Sequence, residues 1–212
     1  MNRPTALAVI GGDDVYEDLF TAAGQLAGLA AEAGLATRPS MGTARVARAA
    51  EHDLVLLYTA MGSFPEPAQV ALAEAVRAGT GLVAVHSANV FPDQGGYESV
   101  HGLIGSRYVS HGPAPHESRF TVRTDREHPL TRGLGDFEIA HEHYHLELRT
   151  DVRVVAWRDA EPVVHVRREG RGRVAYVQLG HDMRVWADPK ARALMTRCIE
   201  WAVGAQPPGA GQ

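Results

Sequence analysis

Residues 81–88, GLVAVHSA, decide how the chain is read. Gly81 to Val85 carry no polar side chain, and His86 follows at once. A strand with one wet face alternates apolar and polar residues, whereas a strand covered on both faces is apolar throughout. Gly81–Val85 is of the second kind, so helices should cover both sides of its sheet. Two upstream stretches repeat the pattern, ALAVIGG (6–12) and DLVLLYTA (53–60), and ATRPSMG (36–42) offers a short further strand. Helical segments lie between them. FTAAGQLAGLAAEAG (20–34) is rich in Ala and Leu and stops at Gly34; PEPAQVALAEAVRAG (65–79) opens on proline and stops at Gly79. TARVARAAEH (43–52) reads as a helix capped by Thr43. The alternation predicts four parallel strands within residues 5–88, in an α/β, flavodoxin-like, doubly wound and mainly parallel sheet. His86 then stands at the carboxyl end of a central strand.

Beyond Asn89 the pattern changes. Residues 91–115 are rich in Gly and Pro, with one short helix expected at Tyr97–Ile104. Strand-like segments follow: HESRFTVRT (116–124), the row around His141, VRVVAWRD (152–159), PVVHVRREG (162–170) and GRVAYVQLG (172–180). The last two form a hairpin across the turn residues REGRG. This half is therefore expected to be β-rich. DPKARALMTRCIEWAVG (188–204) is an amphipathic helix, and AQPPGAGQ (205–212) reads as a disordered tail behind a single domain of residues 1–204.

Composition excludes several function classes. The chain has 212 residues, with 45% hydrophobic and 22% charged side chains and a net charge of −4. Such a balance, without a Lys/Arg run, argues against a nucleic-acid surface. One cysteine, Cys198, rules out an internal disulfide and a Cys-rich zinc site. No apolar run reaches the roughly 20 residues of a membrane span. The N-terminal apolar stretch is too short for a signal peptide, so a cytoplasmic setting is expected. Histidine stands out, with 11 residues, mostly in the second half.

In open parallel sheets, ligands bind outside the carboxyl ends of the strands. That rule selects Gly11–Asp13, Ala60–Gly62 and His86–Asn89. His181 ends another buried run, after Gly180, and His111 lies in the Gly/Pro-rich loop SHGPAPH. The stretch FEIAHEHYHLELR (137–149) holds His141, His143 and His145 at alternating positions. If it is one regular strand, Leu146 and Leu148 set the buried face. Glu142 and Tyr144 then share that face, and the three histidines point the other way. A carboxylate on the apolar side should have a raised pKa, suited to proton transfer.

These motifs together resemble the trehalose-utilisation (ThuA-like) family. GLVAVHSAN, GSRYVSHGPAPHESRFTV, HPLTRGL, the Glu142-x-Tyr144 pair and GRGRVAYVQLGHD followed by Trp186 and Asp188-Pro189 occur in its order and spacing. They span residues 79–204, with a weaker match before them. The resemblance implies a class I glutamine-amidotransferase-like fold. It also implies a role in the breakdown of trehalose and related disaccharides through 3-keto sugars. It carries over His86, His111, Glu142, Tyr144 and His181 as the site. The family has an acidic residue just before the glutamate; here that residue is His141.

The amidotransferases of this fold carry a nucleophilic cysteine on the turn after the strand matching GLVAVH. Here the turn holds His86 and Ser87, so thiol chemistry is excluded. A Ser87 nucleophile with His181 as base is a further route, although VHSAN lacks the glycines of a G-x-S-x-G elbow. Two readings remain. In the first, the protein is an enzyme acting on a keto-sugar or disaccharide by acid–base or metal-assisted chemistry, as an isomerase, lyase or hydrolase. His86, Glu142 and His181 are then catalytic, and Asn89, His111, Tyr144 and Trp186 bind substrate. The cofactor would be a divalent metal such as zinc, held by His86, His111 and His181. In the second, the chain is a non-catalytic sugar-binding or regulatory module that kept the fold and lost the cysteine. The expected partners are a small-molecule sugar and a second copy of the chain in a homodimer, with neither nucleic acid nor membrane.

Overall fold

The computed structural model describes residues 3–91 and 96–204; the tail expected at 205–212 lies outside them. Gly81–Val85 is strand β4, flanked on both sides within a nine-stranded sheet. Four other strands run parallel to it: β1 (Thr5–Gly12), β2 (Ala36–Met41), β3 (Leu54–Ala60) and β11 (Gly172–Val177). Their order, β2-β1-β3-β4-β11, gives the parallel half. The sheet then continues antiparallel through β10 (Glu161–Glu169), β9 (Arg153–Arg158), β6 (Glu117–Thr124) and β7 (Phe137–Glu142). Strands β5 (Ser106–Ser110) and β8 (His145–Leu148) form a separate antiparallel pair. The fold is thus mixed α/β on one large sheet. Helices pack on both faces of the parallel half, while most of the later strands extend the same sheet.

The all-apolar strands are buried on both faces, as their composition requires. Ala6, Ala8 and Ile10 of β1 join one core with α1 (Leu19–Glu32) and α5 (Pro189–Ala202). Leu7 and Val9 join the other, with α2 (Glu66–Ala78) and α3 (Glu98–Ile104). The caps follow their chemistry. The Asp18 carboxylate accepts from Thr21 N at 2.9 Å, and Asp188 caps α5 ahead of its first-turn proline.

Residues Thr43–Glu51 form a helix as expected, in 3₁₀ geometry, and only its cap is corrected. Thr43 is not its cap; its hydroxyl donates to the Ser63 carbonyl instead. A short helix, α4 (Met183–Trp186), follows the last parallel strand. Among the described residues, no helix is long and apolar enough to cross a membrane.

Candidate active site

The site is built where the parallel strands end. After β1 the chain crosses the tip of β3, and Asp13 N donates to Ala60 O at 2.7 Å. Gly12 permits this crossing: at φ 107°, a Cβ would fall 2.0 Å from Ala60 O. The loop beyond it brings Glu17 back over the sheet, 5% exposed. Strand β4 ends at His86, which takes the left-handed φ of 53° and is fully buried. Met61, at the end of the neighbouring β3, has the same φ. Such backbones cost on the order of 1–3 kcal/mol each and are held by their surroundings, most often at functional sites. Strand β11 leads to Gly180, where a Cβ would meet Val85 Cγ1 at 2.9 Å and His86 Cβ at 3.2 Å. Only glycine lets His181 approach so closely.

Every ring atom that can bond fixes His86. Its Nδ1 lies 2.8 Å from the Gln178 carbonyl, so Nδ1 carries a hydrogen and donates it. Its Nε2 lies 2.9 Å from Glu17 Oε1 and 3.5 Å from Glu142 Oε2. The Tyr144 ring stacks on it at 4.9 Å, with the hydroxyl 3.2 Å from Nε2. Burial disfavours the imidazolium, but Glu17 and Glu142 outweigh it and raise the pKa. Glu17 is itself held by Tyr58, whose hydroxyl donates to Oε2 at 2.7 Å, and by His181 Nδ1 at 3.2 Å. Burial would raise the Glu17 pKa; His86, His181 and Tyr58 together lower it well below the usual carboxylate range.

Glu142 faces the same group from the opposite side. Its Oε2 lies 3.5 Å from His86 Nε2, 3.6 Å from His181 Nδ1 and 3.7 Å from His111 Nε2. The raised pKa expected for it is corrected. Burial does push upward, but the three imidazoles prevail and the carboxyl is lowered. His181 is raised, chiefly by its hydrogen bond to Glu17. His111 is lowered by burial, and its Nδ1 is hydrogen-bonded to the Tyr108 hydroxyl.

The row 137–149 is not one strand. Strand β7 stops at Glu142, the chain bends through His143 and Tyr144, and β8 pairs elsewhere. Phe137 and Ile139 set the buried parity, and His141 shares it, 1% exposed; Leu146 and Leu148 are only half-buried. The expected outward orientation of His141 is therefore corrected. Its Nδ1 donates to Glu142 O at 2.9 Å, and its Nε2 accepts from Gly180 N at 3.2 Å and His181 N at 3.3 Å. Burial and the neighbouring His86 bring its pKa down to about 3, in keeping with a neutral ring. His143 does lie outside, bonded to Ser118 Oγ at 2.7 Å, and His145 pairs with Glu161 at 2.9 Å.

One expected substrate contact is corrected as well. Trp186 is 1% exposed and packs on Tyr58, with ring centres 6.2 Å apart, so it presents no face to a sugar. Asn89 lines a cavity together with Met61, Val90 and Tyr108, its side chain held by Ser106 Oγ at 2.8 Å and the Tyr176 hydroxyl at 3.2 Å. Ser87 Oγ makes no hydrogen bond among the described residues, so there is no Ser–His couple. Of the three histidines expected to share a metal, His86 and His181 converge with Glu17, their ligand atoms all within 4.8 Å. His111 stands beyond Glu142. Sequence reasoning missed Glu17, although the carboxyl-edge rule pointed to its loop. A cavity of about 300 Å³ opens onto this group, lined also by Tyr16, Met61, Tyr108 and Tyr144.

The sequence pattern of the ThuA family, described as trehalose utilisation, matches residues 20–202. No curated protein matches the sequence. Among solved structures, a protein described as ThuA-like from Parabacteroides merdae is 17% identical with a TM-score of 0.78, over 98% of this chain and 92% of that one. Another from Bacteroides uniformis is 16% identical with a TM-score of 0.75, over 98% and 96%. A protein described as a GMP synthase component from Thermoplasma acidophilum is 11% identical with a TM-score of 0.61, over 94% of each chain. At these identities the structural matches speak for the fold alone.

Proposed function

The chain belongs to the ThuA family of trehalose utilisation, and from that premise we propose that it is an enzyme that enolises a keto-sugar intermediate of disaccharide breakdown. One observation carries this reading: the Glu142 carboxylate lines the cavity with Oε2 within 3.7 Å of three separate imidazoles. A carboxylate held ionised by such neighbours can take a proton from the carbon beside a ketone. The C–H bond breaks, its electron pair moves onto the carbonyl oxygen, and the proton rests on Glu142. His181 and His111 stand on either side of Glu142 to hydrogen-bond the oxyanion as it forms. Returning the proton to a neighbouring carbon isomerises the sugar. Expelling an oxygen β to the ketone, with the proton passing to that oxygen, cleaves the glycosidic bond.

Cavity size supports a sugar. About 300 Å³ equals roughly ten waters at about 30 Å³ each, room for one pyranose ring. Tyr16, 58% exposed at the rim, can supply the aromatic face that Trp186 cannot. A second cavity of about 530 Å³ adjoins through Met61, Val90 and Tyr108, with Tyr97, His101 and Arg107 on its walls. It offers space for the second ring of a disaccharide.

The test is turnover of a 3-keto-glucoside followed by product analysis. The wild-type protein should consume it, and Glu142→Gln should be slower by ~10²–10⁴-fold, the usual worth of a general base. Binding without turnover, at equal affinity in both proteins, would instead establish a non-catalytic sugar-binding module.

A further inference from the structure

We propose that Glu17, His86 and His181 form a binding site for a divalent first-row transition ion, on the floor of the cavity beside Glu142. The inference deepens the enolisation reading and rests on it only for what the ion would do. The site itself stands on geometry.

Three residues from three separate strand ends place their ligand atoms within 4.8 Å of one another. Glu17 Oε1 lies 2.9 Å from His86 Nε2, and Glu17 Oε2 lies 3.2 Å from His181 Nδ1. An ion with bonds of about 2.0–2.1 Å separates tetrahedral ligands by about 3.3–3.4 Å, close to both of these separations. Two imidazoles and one carboxylate are a ligand set suited to zinc and its neighbours.

The surroundings are those that metal ligands require. A ligating histidine normally commits its other nitrogen to a carbonyl or carboxylate. His86 does so: Nδ1–H points at Gln178 O at 2.8 Å, leaving Nε2 to face Glu17. The Tyr58 hydroxyl donates to Glu17 Oε2 at 2.7 Å and orients the carboxylate. His141 accepts from the backbone N–H of His181 at 3.3 Å and of Gly180 at 3.2 Å, which sets the turn that presents the His181 ring. The 300 Å³ cavity lies on the remaining side, so open positions would face a sugar oxygen. Glu142 Oε2, 3.5 Å from His86 Nε2 and 3.6 Å from His181 Nδ1, borders those positions. There a Lewis acid would draw the charge of the enolate that Glu142 generates.

The test needs no substrate. The full-length protein is stripped with a chelator and titrated with zinc, following melting temperature, and with cobalt, following its visible d–d absorption. About one ion per chain is expected, with a rise in melting temperature, because an ion that binds only the folded state stabilises it. Glu17→Gln and His181→Gln should each weaken binding at least ~100-fold, while His111→Gln should stay within ~3-fold. Circular dichroism confirms that each variant is folded, and the wild-type titration stands alone if one is not. A wild-type protein showing neither a cobalt spectrum nor a zinc-dependent melting shift overturns the site. So does binding lost equally in His111→Gln. Keto-sugar turnover by a protein that takes up no ion would sink this site and leave the Glu142 reading intact; one equivalent of ion without turnover would do the reverse.

Discussion

The two halves of the sheet supply the site in different ways. Glu17, His86 and His181 come from the parallel half, each just past a strand end, where apolar runs buried on both faces fix the backbone. His141, Glu142 and Tyr144 come from the antiparallel half, at a place where a strand breaks. In the first case regular structure delivers the side chain; in the second, its interruption does. A regular strand would put Glu142 and Tyr144 on one face, clear of His141. The bend instead lets Tyr144 stack on His86 while His141 and Glu142 both reach the His181 turn.

Substitutions can break this contrast, beginning with the parallel half. Gly180→Ala forces a Cβ to within 2.9 Å of Val85 Cγ1 at a φ of 146°. The strain and the displaced His181 should cost roughly 3 kcal/mol or more of stability, read by chemical denaturation, and abolish activity. On the antiparallel side, His141→Leu leaves the Gly180 and His181 N–H groups without their acceptor. The expected loss is about 2 kcal/mol, with activity reduced alongside. His141→Asp restores an acceptor and should recover part of both. Recovery of stability without activity would mean that the acceptor role does not position His181.

A third pair separates packing from binding. Trp186→Phe should lower stability by about 1–2 kcal/mol and leave KM for a keto-sugar unchanged, since the indole is in the core. Tyr16→Ala should do the opposite, raising KM with little change in melting temperature. The smallest effect is expected for His143→Gln combined with His145→Gln, within about 0.5 kcal/mol of wild type, because both rings make partly exposed contacts.

What the sequence made legible follows the same division. The parallel strands and the position of His86 could be read because a continuous apolar run has one explanation in an α/β chain. Glu17 was missed because GGDDVYED looks like a solvated acidic loop. Its burial comes from Tyr58 and His86, which lie at least 41 positions away and carry no local signature. In the row 137–149, Leu146 and Leu148 suggest a phase for the whole stretch, yet they belong to a different sheet from Phe137 and Ile139. Alternation cannot signal a break, because it continues in sequence while the backbone turns. Trp186 failed for a related reason: four residues of α4 suffice to tuck its ring beneath the site.

The central claim, that Glu142 moves a proton beside a sugar carbonyl, is tested most directly in D₂O. The protein is incubated with a 3-keto-glucoside, and the signals of the protons flanking the ketone are followed by NMR. Wild-type protein should replace at least one of them with deuterium well above the buffer rate, and Glu142→Gln should not. Exchange no faster than buffer with wild-type protein, or equally fast with Glu142→Gln, would contradict the account.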